Sequence, residues 1–258
     1  MNCRLKERLA EGRAAVGAQL RFGSPAIAEM FGHAGFDWIV IDSEHAPQTP
    51  DGIQAQLQAL GNTPATPVVR LPRVDEEQIR LYLDMGALGI MAAFVETPED
   101  AEFGAQSCRY PPRGIRSFGP HRAGGYGLRT AEYLEKIDDL VSFIPIIESA
   151  PAVDAIEAIL AVDGVDFPVI GPVDLSFSLG VHFEFESEVF QEAQARVAAA
   201  AAAAGKPAGL GLYRPSFEPA SMEKALEDGF RALLVGGDEP FLAAACEMMA
   251  GVRRELDL

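Results

Sequence analysis

What most limits the folds open to this chain is an alternation that runs along its whole length. Eight short apolar runs read as strands: Ala15–Leu20, Trp38–Ile41, Pro67–Arg70, Gly89–Ala93, Phe143–Ile147, Val165–Ile170, Ala208–Leu212 and Ala232–Val235. Between them, helical spacing covers Pro25–His33, Ile53–Leu60, Glu76–Met85, Pro98–Cys108, Pro151–Ala161, Val189–Ala204 and Ser216–Asp228, and a last helix falls near Glu239–Leu256. Strands alternating with helices require a parallel sheet. Eight such units in 258 residues predict an α/β fold, a (β/α)8 TIM barrel, as one domain over residues 1–258. A doubly wound open sheet is the competitor, but the glycine-rich turn it uses for a dinucleotide is missing after the first strand, where LRFGSP stands.

Composition excludes several classes of function. A formal net charge of −17 argues against nucleic acid, whose phosphates reward clustered Lys and Arg. No uncharged apolar run reaches the roughly 18 residues of a membrane span. The opening MNCRLKERLAEGR carries charges throughout and lacks the apolar centre of a signal peptide, so a cytoplasmic location is expected. Cys3, Cys108 and Cys246 are odd in number and widely spaced, and read as reduced thiols.

Some features have ordinary explanations. The alanine run 198–204 suits a helix, stopped by Gly205 with Pro207 just beyond. VGGDEP at 235–240 has the residues of a phosphate-cradling turn, but a plain strand-to-helix turn needs the same ones. The section from Tyr110 to Leu140 is too long for a simple connection and is rich in Gly, Pro and Arg, which points to a functional or inter-subunit segment.

In a barrel of this kind the carboxyl ends of the strands form the active face. Strand two, in FDWIVIDSEHAP, runs into Asp42, Glu44 and His45; strand three ends in Arg70; strand five leads to Glu148; strand six leads to Asp174. A single acid there is commonly a helix N-cap, and a single arginine or histidine is commonly structural. On a barrel, however, four such ends converge on one bowl.

Their chemistry is mutually consistent. Glu148 and Asp174, with no clustered Cys or His, suit a hard divalent cation, Mg²⁺ or Mn²⁺, with Co²⁺ also admissible. Two protein ligands leave room for a chelating 2-oxo acid, whose carbonyl the metal would polarise. Arg70 suits an enolate oxygen. His45 suits proton transfer, with Asp42 to orient it. A Schiff-base lysine is the other route to an enolate equivalent, but the four lysines, Lys6, Lys136, Lys206 and Lys224, do not end strands, and Lys206 precedes strand seven on the opposite rim.

With these residues in place, AGFDWIVIDSEHAP, PVVRLP, RYPPRGIRSFG, IIES and VIGPVDLSFSLG resemble the HpcH/HpaI aldolase family of metal-dependent pyruvate aldolases, over nearly the whole chain. The resemblance implies reversible retro-aldol cleavage of a 4-hydroxy-2-oxo acid to pyruvate and an aldehyde. It implies a homo-oligomer, a hexamer built as a trimer of dimers, with sites near subunit boundaries and an exchanged C-terminal helix. Residue by residue, it implies that His45, oriented by Asp42, handles protons, partly through water on the metal, and that Arg70 binds the keto or enolate oxygen. Glu148 and Asp174 would hold the metal. The amides of Val173 and Asp174, exposed by the turn at Gly171 and Pro172, would hold the pyruvate carboxylate, and Leu212 would shape the aldehyde pocket.

Three positions depart from the family pattern. Ile146 replaces a common glutamine two residues before the metal glutamate, Gln19 replaces a tryptophan, and Ala93 replaces a proline. Residues 146 and 148 share a strand face, so Gln19 is a candidate to restore the hydrogen bond missing at Ile146. Two other readings remain open. One is an acyl-CoA lyase of the citrate lyase beta or malyl-CoA lyase type, which would want more basic residues than Arg113, Arg116 and Arg122 around the mouth. The other is a non-catalytic barrel that binds a keto acid.

Overall fold

The structure, a computed structural model, describes residues 3–212 and 219–257. Its strands are β1 (Ala15–Leu20), β2 (Trp38–Asp42), β3 (Thr66–Leu71), β4 (Gly89–Ala92), β5 (Ser142–Ile147), β6 (Val169–Ile170), β7 (Ala208–Gly211) and β8 (Phe230–Gly237). They pair in parallel, each with the next, and β8 closes on β1. The expected (β/α)8 barrel is the one observed.

The helices are α1 (Arg4–Ala10), α2 (Pro25–His33), α3 (Pro50–Leu60), α4 (Glu76–Asp84), α5 (Pro98–Ser107), α6 (Thr130–Leu140), α7 (Ala150–Asp154), α8 (Ile156–Ala161), α9 (Pro172–Ser178), α10 (Glu188–Ala203), α11 (Pro219–Glu227) and α12 (Asp238–Glu255). Their starts are written locally. Ser24, Thr49 and Thr97 each cap a helix whose first turn contains proline, and Thr97 closes a capping box with Asp100.

Every residue of β2, β3, β4 and β5 is buried, because both faces of a barrel strand are covered. Alternate residues divide into two clusters. Trp38, Val40, Val68, Met91, Ile144 and Ile146 fill the barrel interior, with Trp38 edge-on to Phe167. Ile39, Ile41, Val69, Ile90 and Phe143 pack outward under the helices. This period-two division builds a plugged barrel rather than a pore.

Several expectations are corrected. The sixth strand shrinks from Val165–Ile170 to Val169–Ile170, leaving Val165 in an isolated bridge to Phe143. The Asp166 carboxylate takes the Phe143 N–H at 2.9 Å, replacing a ladder bond, and Pro168 has no N–H to offer. The expected helix Pro151–Ala161 is two short ones that meet at Ala155. The first residues of the expected helix Ser216–Asp228 lie outside the described residues. Helices α1, α6 and α9 were not anticipated.

The long section from Tyr110 to Leu140 ends in α6 and is otherwise pinned by arginines. Buried Arg116 donates to Asp84 at 2.6 Å and lies over the Tyr110 ring. Arg122 donates to the carbonyls of Met85 and Leu57. Those carbonyls lie at the ends of α4 and α3 that lead into the next strands, so the segment reaches the amino-terminal rim. Among the described residues, no helix is long and apolar enough to cross a membrane.

Candidate active site

All eight strands, or the residues just beyond them, deliver side chains to one cavity of about 580 Å³, lined among others by Gln19, Arg21, His45, Arg70, Ile146, Glu148, Asp174 and Leu212. Gly171, Pro172 and Val173 complete one wall. The expected site residues that line it thus meet in one place, with Asp42 directly behind them. A larger cavity of about 760 Å³ opens at the opposite rim, beside Lys6, Arg109 and Lys206. Its cations are already engaged: Lys206 donates to Leu160 and Val165 carbonyls, and Lys6 and Arg109 both pair with Asp166. Among the described residues no lysine lines the cavity at the carboxyl ends.

Asp42, the last residue of β2, is fully buried and is the hub of the site. Arg70 donates to it through Nε at 3.0 Å and Nη2 at 2.6 Å. Gln19 donates at 2.7 Å, Arg21 Nε at 3.1 Å, and the backbone amides of Glu44 and His45 at 3.0 and 3.2 Å. Burial alone would raise its carboxyl, but the hydrogen bonds and charge of Arg70, helped by those amides, hold it below the usual range.

Two expectations change here. Asp42 meets His45 only at the backbone amide, because its oxygens are occupied by guanidinium and amide donors. The imidazole instead has Glu44 beside it, Nε2 to Oε1 at 3.6 Å. Gln19 does not replace the hydrogen bond absent at Ile146; its amide is turned to Asp42, two residues beyond Val40, its partner in the β1–β2 pairing. Glu44 also faces Arg70 Nη1 at 3.2 Å, an ion contact without hydrogen-bond geometry, and burial pushes its carboxyl up against the pull of Arg70 and His45.

Glu148 follows β5 and is only 4% exposed. Its Oε1 accepts the Phe94 N–H at 2.9 Å, and Phe94 holds a left-handed backbone, φ +52°, to offer it. Burial first, then the nearby charges of Glu44 and Asp174, push its carboxyl up to about 7. On its other side a Cβ at position 171 would come within 2.9 Å of Oε2. Gly171 is therefore glycine because a carboxylate packs against its α-carbon. Gly171→Ala should weaken divalent-metal affinity by about tenfold or more while costing about 1–3 kcal/mol of stability; calorimetric titration with Mn²⁺ beside a thermal melt checks both.

At the start of α9, Leu175 makes the first backbone bond, to the Gly171 carbonyl. The amides of Val173 and Asp174 precede it and have no acceptor within the helix. Leu212 stands on a partition, since it lines both this cavity and an adjoining chamber of about 680 Å³ with Phe183, Phe185 and Phe190 on its walls. VGGDEP is a structural turn. The Asp238 carboxylate is taken by the amides of Arg21, Phe22 and Glu239, which fastens the end of β1 to the start of α12. Arg113 and Arg122 are far from the mouth, engaged with Asp139 and with backbone carbonyls.

Three contributors were missed: Arg21, the Phe94 amide and Asp238. Arg21 follows the first strand directly, so the rule applied to the other strand ends would have found it.

A family model described as HpcH/HpaI aldolase/citrate lyase matches residues 20–242. A 4-hydroxy-2-oxovalerate aldolase of Rhodococcus jostii is 41% identical over 251 residues, covering 95% of this chain and 93% of that protein. A hydroxypyruvate/pyruvate aldolase of Deinococcus radiodurans is 39% identical over 251 residues, 95% of this chain and 87% of that one. The crystal structure of a family protein from Burkholderia cenocepacia superimposes with a TM-score of 0.91 at 34% identity, covering 98% of this chain and all of the other.

Proposed function

The chain belongs to the HpcH/HpaI aldolase/citrate lyase family, and from that premise we propose that it is a carbon–carbon lyase, a class II pyruvate aldolase that reversibly cleaves a 4-hydroxy-2-oxo acid to pyruvate and an aldehyde. The observation that carries this reading is the meeting of Arg70, His45, Glu148 and Asp174 on one cavity at the carboxyl ends of the strands. Relatives bearing aldolase names, with near-complete coverage, support it.

The donors fit a hard divalent cation such as Mg²⁺, Mn²⁺ or Co²⁺. Glu148 is a carboxylate that ionises reluctantly, first because it is buried and then because Glu44 and Asp174 lie near, and a cation would offset both. Asp174 lines the same cavity, close enough for its charge to act on Glu148, so these two carboxylates are the pair that would hold the ion. Bound there, the cation would polarise the keto group of a chelating 2-oxo acid.

The chain's own groups supply the remainder. Asp42 takes Nε and one edge of Nη2 from Arg70, and Glu44 meets Nη1 only as an ion contact at 3.2 Å, so the remaining N–H groups of Nη1 and Nη2 receive the keto oxygen and the charge it gains on enolisation. In cleavage a proton leaves the 4-hydroxyl, the C3–C4 bond breaks, and its electron pair passes into the enolate. His45, half-exposed at the mouth, moves that proton through its imidazole. The Val173 and Asp174 amides hold the carboxylate, and Leu212 bounds the aldehyde side.

Assembly as a hexamer with α12 exchanged between neighbours belongs to the same reading. Along α12 only Asp238 is buried, while Leu242, Met248, Met249, Val252 and Leu256 are exposed, an apolar surface that supports a partner. Three free cysteines support a reducing, cytoplasmic compartment.

Deuterium uptake into the pyruvate methyl group tests the reading without knowledge of the aldehyde. Uptake should require Mg²⁺ or Mn²⁺ and stop on chelation. Uptake that survives chelation would refute the metal's role, and no uptake with metal would favour a barrel that only binds keto acids.

A further inference from the structure

Two guanidinium groups face the cavity, and the chemistry above uses one. β2 lies between β1 and β3, so Asp42 at its end stands between Arg21 on one side and Arg70 on the other. Arg70 occupies both oxygens of Asp42. Arg21 reaches it through Nε alone, at 3.1 Å. One buried carboxylate is thus shared by two cations.

Arg21 finds its other counter-charge in Glu239, 3.1 Å from Nη1. That pair is open to water: the two side chains are 38% and 53% exposed. Such pairs contribute little, and a better-placed carboxylate can replace one partner. Asp238, the other acid on this wall, is closed to exchange because backbone amides occupy both its oxygens. Anchoring Nε to a buried acid also fixes the plane of the Arg21 guanidinium. Its outer edge is then presented in the two-pronged geometry that carboxylates accept.

We propose that Arg21 is a specificity-determining residue: its outer edge receives a carboxylate carried by the aldehyde, which displaces Glu239, and the preferred aldehydes are acid semialdehydes. The inference rests on the pyruvate aldolase reading. Its rival is the chamber beyond Leu212, whose phenylalanine walls suit an uncharged, apolar aldehyde.

The test compares kcat/KM for condensation with pyruvate in matched pairs, succinic semialdehyde against butanal and glyoxylate against acetaldehyde. Intrinsic differences in electrophilicity are the same for every variant and cancel when the pair ratio of a variant is divided by that of the wild type. Loosening of Asp42 in Arg21→Gln lowers both members of a pair and cancels too. Arg21→Gln should lower the anionic-to-neutral ratio about tenfold or more. Glu239→Gln should raise it, since the competitor for the guanidinium is gone, with metal-dependent deuterium uptake into pyruvate unchanged. A ratio that neither substitution moves overturns the role of Arg21. Absence of uptake in the wild type would instead bring down the aldolase reading itself.

Discussion

Arg70→Ala should reduce metal-dependent deuterium uptake into pyruvate by about 100-fold or more while leaving the barrel folded. The two outcomes separate because Asp42 has other donors. Without Arg70, the buried carboxylate keeps Gln19, Arg21 and two backbone amides. It is not orphaned, so the loss of stability should be about 2 kcal/mol, the scale of a charged hydrogen bond, rather than that of a stranded ion. The substrate oxygen has no such reserve, because Arg21 is turned to the far side of Asp42. Arg70→Lys keeps a charge but not the fork that grips both oxygens of Asp42, and should fall between wild type and alanine. Uptake in Arg70→Ala within a few fold of wild type would remove Arg70 from the chemistry.

Glu148→Gln should make the metal-free protein more stable at pH 8 and unable to respond to metal. Burial and the neighbouring Glu44 and Asp174 raise the folded-state value of Glu148 from 4.5 to about 7. The unfolded chain therefore gives up this proton first. The stability associated with protonated Glu148 is complete below about pH 4.5 and is lost as pH rises through 7. At pH 8 the ionised carboxylate costs on the order of 3 kcal/mol, which glutamine avoids while preserving the shape and the acceptor for the Phe94 amide. The gain in melting temperature should be roughly 5 °C or more at pH 8 and vanish near pH 4.5. Adding Mn²⁺ should raise the wild-type melting temperature and leave the variant's where it was. A variant less stable than wild type at pH 8 would contradict this account of the site.

Local chemistry made most of the barrel legible. Proline and a capping hydroxyl mark the starts of α2, α3 and α5, and apolar runs mark the strands. Where expectation failed, a tertiary contact intervened. Asp166 supplies a side-chain bond that shortens β6, and α6 is hidden in a segment whose glycines and prolines read as loop throughout. The site residues were legible for a simple reason: a polar residue at the end of a buried strand must face the rim. Their pairings were not. Whether Asp42 serves His45 or Arg70 depends on register between strands distant in sequence, and so does the destination of Gln19. The Phe94 amide has no side-chain signature at all, since its role lies in its backbone angle.

The staple at Asp238 ties the exposed apolar helix α12 to the rim of the cavity. Helix α12 departs from a joint with almost no slack, and the same carboxylate holds the backbone from which Arg21 projects. A load on α12 is therefore transmitted to the cavity mouth, because Arg21, Phe22 and Glu239 all hang on that one carboxylate.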